Sequence, residues 1–241
     1  MMLPLLATLA LALPPAENDP AGKAFEQAIV EMNTVVESLQ DATFTMYKQE
    51  WINGGYVDWV TMEVKVRRPE DAFMRMTDGP GAGRVVLYRG PDWNDGHFRV
   101  DPGRFMPVLN LHPDGRLARR GNRHSVREIA PRVLIGKITR DALRVRDSPT
   151  HVPDVTDLGQ TTVRGESSRC FEARLPKASD PAFYAHRVRL CIKPETGMPN
   201  SIRVWDHEDG EVRLVESYDY IGMRVNPGLT DSDFAPETYG L

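Results

Sequence analysis

Long apolar runs are almost missing from this 241-residue chain. The run from Leu3 to Leu13 falls short of the roughly 20 apolar residues that a membrane-spanning helix needs, so no spanning segment is expected. Cysteine is scarce: Cys170 and Cys191 are the whole supply. With no Cys-x-x-Cys pair, a redox centre is not expected. An excess of basic charge is lacking too. Thirty Lys and Arg stand against 34 Asp and Glu, a net charge of −4, which argues against nucleic acid as a partner. Gly-x-Ser-x-Gly, His-Glu-x-x-His, the P-loop and Gly-x-Gly-x-x-Gly are all absent, and with them the nucleophile elbow, the zinc-protease helix and the phosphate cradle. The six histidines are scattered, with no i, i+4 pair, and there is no internal repeat.

What is present begins at the first residue. Met1 to Ala16 carries no charge, has an apolar core and ends in Pro14-Pro15-Ala16. That is the length and the small-residue ending of a signal peptide, with cleavage after Ala12 or Ala16, although no Lys or Arg precedes the apolar run. Export, and a periplasmic location, are therefore expected for the mature domain from about residue 21 to 241. An oxidising compartment makes the two cysteines a disulfide pair. Phe171, Ala173 and Leu175 alternate with Cys170, Glu172 and Arg174; Val188, Leu190 and Ile192 alternate with Arg189, Cys191 and Lys193. If Cys170 faces Cys191 across antiparallel strands, Glu172 faces Arg189, a favourable cross-strand pair.

Ala21 to Leu39 repeats Phe25, Ala28, Ile29, Met32, Val35, Val36 and Leu39 at helical spacing, with Asp19-Pro20 as its start signal. Strands are expected at Thr43–Trp51 and Tyr56–Arg68, joined by an Asn53-Gly54 turn, then at residues 72–77, 84–89 and 97–100. The second has the clearest period: Val60, Met62, Val64 and Val66 against Thr61, Glu63, Lys65 and Arg67. Asp101 to Arg123 reads as loops. Ser125-Val126-Arg127-Glu128 is a capping box and opens a helix to about Leu143, bent or restarted at Pro131. Residues 148–158 read as a connector, and strands return at 161–164, 169–175, 186–192, 201–205 and 211–221. Short turns between strands force antiparallel pairing, and a sheet with one apolar face must cover it. The expected fold is α+β: a strongly curved antiparallel sheet with helices packed in its concave face, an arrangement that tends to leave an apolar cavity.

Candidate site residues follow from that face. Val60, Met62, Val64, Val66, Met74 and Met76 offer an apolar lining, and flexible Met side chains suit irregular apolar ligands, although most would also serve as plain core. Arg68 shares their parity. It is either a solvated strand end or a rim group for a headgroup, carboxylate or carbonyl oxygen. Gly121-Asn122-Arg123-His124 reads first as a helix start, with Asn122 and His124 as the alternative polar rim. His112, Asp114 and His124 make a weak zinc grouping. Asp92 to Gly96 is a polar turn, since Gly103 stands where a calcium loop needs its closing Glu. No metal or cofactor is expected.

Val64-Lys65-Val66-Arg67-Arg68-Pro69 followed by Ala72-Phe73-Met74-Arg75-Met76 resembles the periplasmic lipoprotein-carrier family of LolA, with its relatives LolB and the RseB-type sensors. Residues 47–124, with Asp78-Gly79-Pro80, Asn94-Asp95-Gly96 and Gly121 to His124, also resemble a related family of exported bacterial proteins of unknown function. The resemblance implies an incomplete β-barrel lidded by helices, an interior that shelters acyl chains, and no covalent chemistry. It further implies a lipid or lipidated protein as cargo and membrane acceptor proteins as partners. Arg68 and Pro69 carry over by motif, which implies a place for Arg68 beside the cavity and a part in cargo handover. The disulfide and the Arg/Pro-rich middle segment depart from the carrier pattern. An envelope sensor using the same cavity is the alternative, and a hydrolase ranks below both.

Overall fold

A computed structural model describes residues 19–103, 105–148, 154–178 and 180–241; the expected signal peptide lies outside them. Helix α1 (Pro20–Ser38) starts where Asp19 accepts a hydrogen bond from the Ala21 N–H at 3.1 Å, with Pro20 in its first turn, as capping chemistry dictates. Its buried face is Phe25, Ile29, Met32 and Val36. Each such side chain contributes about 1.5–3 kcal/mol on burial.

The strands follow as β1 (Asp41–Ile52), β2 (Gly55–Tyr56), β3 (Val60–Arg67), β4 (Asp71–Asp78), β5 (Val85–Arg89), β6 (Phe98–Asp101) and β7 (Leu109–Leu111). Helix α2 (Arg116–Arg119), a 3-10 turn at Val126–Glu128 and helix α3 (Pro131–Arg146) come next. Strands β8 (Asp154–Val163), β9 (Glu166–Arg174), β10 (Arg187–Ile192), β11 (Pro199–Glu208) and β12 (Glu211–Val225) complete the sheet. Its order is β7-β6-β5-β4-β3-β1-β12-β11-β10-β9-β8, with β2 paired off β1. β7 and β8 stand at opposite edges, so the barrel does not close. All pairings are antiparallel. The α+β expectation holds: one apolar face of the sheet packs on α1 and α3 in a single core.

Four local expectations need correction. The Tyr56–Arg68 strand is broken at residues 57–59, leaving β2 and β3. The 101–123 loop contains β7 and α2, which Pro, Gly and Arg concealed. The helix expected from Val126 restarts at Pro131 as expected; what differs is that its first turn, capped by Ser125, is 3-10, and that α3 runs on to Arg146. Part of the 148–158 connector is strand: β8 begins at Asp154. It is an edge strand whose side chains are mostly exposed, so it shows little apolar period.

Cys170 pairs with Cys191 in register and forms the disulfide, and the adjacent Arg189 Nη2 lies 2.8 Å from Glu172 Oε2. The cysteines were expected on polar faces. Bridging covers both, and they are buried. A bridge across a sequence separation of 21 residues stabilises by about 3 kcal/mol in the chain-entropy treatment. On the opposite, convex face a second core forms. Phe234, Leu229, Tyr239 and Leu241 cover Phe73, Val85 and Leu87 of β4 and β5, with Tyr239 stacked on Phe73 at 4.0 Å. Lys65 donates to Asp233 at 2.8 Å, fastening this C-terminal strap to β3.

Candidate functional site

A cavity of about 620 Å³ lies between the β3–β6 part of the concave face and the segment from residue 102 to Lys137. That is within the range of small-molecule sites, about 300–1,000 Å³. Met46, Met62, Met74 and Met76 line it from the sheet, beside Val86, Phe98 and Tyr220. Strand alternation sends these side chains inward on β1, β3 and β4, and Leu134 and Lys137 of α3 line the same space.

The other wall is charged. Glu50 on β1 sits directly opposite Glu216 on β12, and the two residues are 1% and 3% exposed. Two like charges facing each other in a sheet destabilise it, and buried charge requires partners. Arg123 supplies them. Its backbone N–H donates to Glu50 at 3.0 Å, its Nε to Glu216 at 3.3 Å, and its Nη1 to Glu208 at 2.7 Å and to the Trp51 carbonyl at 3.1 Å. Lys48 lies 3.0 Å from Glu50 and donates to Asn122 at 2.7 Å. The Tyr218 hydroxyl donates to Glu50, and that of Tyr184 to Glu216 at 2.6 Å.

His124 is clasped by two carboxylates. Its Nδ1 is 2.9 Å from Glu128 and its Nε2 is 3.1 Å from Glu216. Burial opposes its charge, but the hydrogen bonds to Glu128 and Glu216 prevail and push its pKa up to about 9. The hydrogen bond from His124 holds Glu128 well below the usual carboxylate range, with Lys137 adding to it. Glu216 is also held low: burial alone would raise it, and the charged His124, the Tyr184 hydroxyl and Arg123 outweigh that. Burial drives the Tyr184 and Tyr218 hydroxyls up, so both stay protonated donors. At neutral pH both ring N–H groups of His124 are committed to carboxylates. These groups are paired with one another, and the arrangement can orient a polar ligand group by fixed dipoles and water.

Of the residues expected at the site, Met62, Met74 and Met76 line the cavity, as do Asn122 and His124. Val64 and Val66 are in the main core, and Val60 packs half-buried at its edge. Arg68 lies at a separate crevice below α1. Its Nε donates to the Leu39 carbonyl at 2.6 Å and its Nη2 to that of Glu37 at 2.7 Å. It thereby satisfies the last carbonyls of the helix, the usual need of a C-terminus. His112, Asp114 and His124 take different partners: His97, Arg127 and Glu128 with Glu216. Among the described residues no group of three His, Cys, Asp or Glu could hold a metal. Lys48, Glu50, Arg123, Lys137, Tyr184 and Glu216 went unforeseen. A signal existed for Glu50, which shares parity with Phe44 and Met46, and for Glu216, which shares it with Tyr218 and Tyr220.

Comparison with known proteins places the fold. Lipoprotein LppX of Mycobacterium tuberculosis aligns over 86% of this chain and 98% of its own, with 14% identity and a TM-score of 0.51. A LolA superfamily protein from Nitrosomonas europaea aligns over 88% and 98%, with 13% identity and a TM-score of 0.41. A DUF1329 family protein from Desulfovibrio piger covers 92% and 100%, at 15% and 0.41. At 14% identity the LppX likeness concerns the fold alone. No curated protein matches. Residues 39–239 match the sequence pattern of a family described as protein of unknown function (DUF1571).

Proposed function

The chain belongs to the DUF1571 family, and we propose that it is an exported, periplasmic, non-enzymatic binding protein that shelters the acyl chains of a lipid or lipidated protein. The observation that carries this reading is the cavity: about 620 Å³, methionine-rich on one side and charged on the other. An acyl chain needs adaptable apolar walls, which Met provides, and a polar head needs fixed dipoles near one end. Export is supported by the charge-free start of the chain and by the disulfide, which persists in an oxidising compartment. Among the described residues no helix is long and apolar enough to cross a membrane.

Native mass spectrometry of the protein purified from the periplasm is expected to show acyl-chain ligands, and the emptied protein should take up a fluorescent fatty-acid probe. Met62→Trp and Met74→Trp, which fill the cavity, should weaken uptake about tenfold, equivalent to about 1.4 kcal/mol. Recovery of no acyl ligand, together with no probe uptake by the unaltered protein, would overturn the reading.

A further inference from the structure

The cavity opens beside residues 102–121, and this stretch holds apolar side chains that the fold leaves uncovered. Phe105 is exposed at 110%, Leu117 at 67% and Met106 at 54%; Val108 is exposed as well. Exposed apolar side chains scattered singly are ordinary, whereas a cluster at one mouth marks an interaction surface. Met106 and Leu117 also line the cavity, so two of these side chains belong both to the exposed patch and to the lining. Phe105 occupies the left-handed region with φ 66°, uncommon for a bulky side chain.

The stretch that carries these tips is net basic. Arg116 and Arg120 are exposed on α2 and just beyond it, and Arg84 and Arg120 line the mouth. Between residues 105 and 121 the sole carboxylate is Asp114, and Arg127 neutralises it at 3.0 Å. The whole chain carries −4, so the stretch from residue 105 to 121, with three arginines against one carboxylate, reverses the sign of the molecule locally. Apolar tips set among arginines match an anionic bilayer surface: the tips enter the boundary between headgroups and acyl chains, and the cations meet lipid phosphates. A purely apolar protein groove would accept the tips but would leave the arginines unmatched.

We propose that residues 105–120 dock the protein onto an anionic phospholipid bilayer and set the cavity mouth against the membrane. The purpose of such docking rests on the carrier reading; its chemistry does not. The test is co-sedimentation of the full chain with vesicles of phosphatidylcholine, with and without phosphatidylglycerol, at low and high salt. Binding is expected on the phosphatidylglycerol vesicles and should fall with salt. Phe105→Ser and Arg116→Glu should each lower partitioning about tenfold. Both residues lie outside the cavity lining, so fatty-acid probe uptake should match that of the unaltered protein. Equal sedimentation with both vesicle types, no binding, or binding untouched by the two variants overturns the proposal. So does a dimer that Phe105→Ser dissolves while vesicles stay unbound, which would make the patch a self-contact. Vesicle binding with neither probe uptake nor a recovered acyl ligand sinks the carrier reading alone; uptake without vesicle binding sinks docking alone.

Discussion

On the β3–β4 side of the cavity, Met62, Met74 and Met76 meet the interior with dispersion contacts alone. On the β1–β12 side, across the same space, Glu50 and Glu216 are tied to Arg123 and His124 by directed bonds between 3.0 and 3.3 Å. The methionines and the two facing carboxylates come from one sheet and one rule of alternation, while Arg123 and His124 come from the segment that faces it. The methionine side tolerates rearrangement because no single geometry is required of it. The charged side tolerates little, because each buried charge depends on the partner that compensates it. A ligand that varies in its chain and keeps a polar end would find one surface that yields and one that does not.

The comparison can be broken most directly at Arg123, which holds two facing carboxylates. Arg123→Met should cost about 3–5 kcal/mol, the usual penalty for orphaning a buried charge, read as a lowered midpoint in urea. A change below about 1 kcal/mol would mean that water reaches Glu50 and Glu216. The next effect is in pH. Folding raises His124 from 6.5 to about 9, so its contribution is complete below 6.5 and fades as pH rises through about 9. The amount is about 3 kcal/mol at most. Glu128 and Glu216 are held low, so theirs is present above about 4.5 and fades as pH falls. Urea titrations across this range should therefore show a maximum between the two limbs. Glu128→Gln should flatten the alkaline limb, and an unchanged limb would remove His124 from the account. The smallest effect lies on the other wall. Met62→Leu should cost less than about 1.5 kcal/mol while altering which chain lengths native mass spectrometry recovers. A cost like that of a rigid core position, about 2–5 kcal/mol for truncation to Ala, would show that the methionine wall is packed as tightly as the rest.

Much of the scaffold was legible because periodicity and capping act locally. Asp19-Pro20 starts α1 where its chemistry says, Val60 to Val66 alternate as β3 requires, and the cysteine register follows from two alternating runs. The charged wall was legible only in fragments. Asn122 and His124 were noticed as a motif, but Glu50 and Glu216 meet through a pairing 166 residues apart (216 − 50), which no window of the sequence contains. Parity leaves Arg68 open between a strand end and a cavity rim: it follows the inward face, yet β3 ends beneath α1, and its guanidinium donates to the carbonyls of Leu39 and Glu37. Only the end of β8 was legible, as the strand expected at 161–164; its first part reads as a connector because an edge strand need not be apolar.

The C-terminal strap covers the convex side of β4 and β5, the strands whose concave side carries Met74, Met76 and Val86. A pliant lining is thus laid on a splinted backbone. In hydrogen-exchange terms, the amides of β4 should open only together with the segment from Asp231 to Tyr239. Cutting that segment away should turn a cavity of fixed width with mobile side chains into one whose frame itself breathes, and selectivity for ligand size should disappear before the fold does.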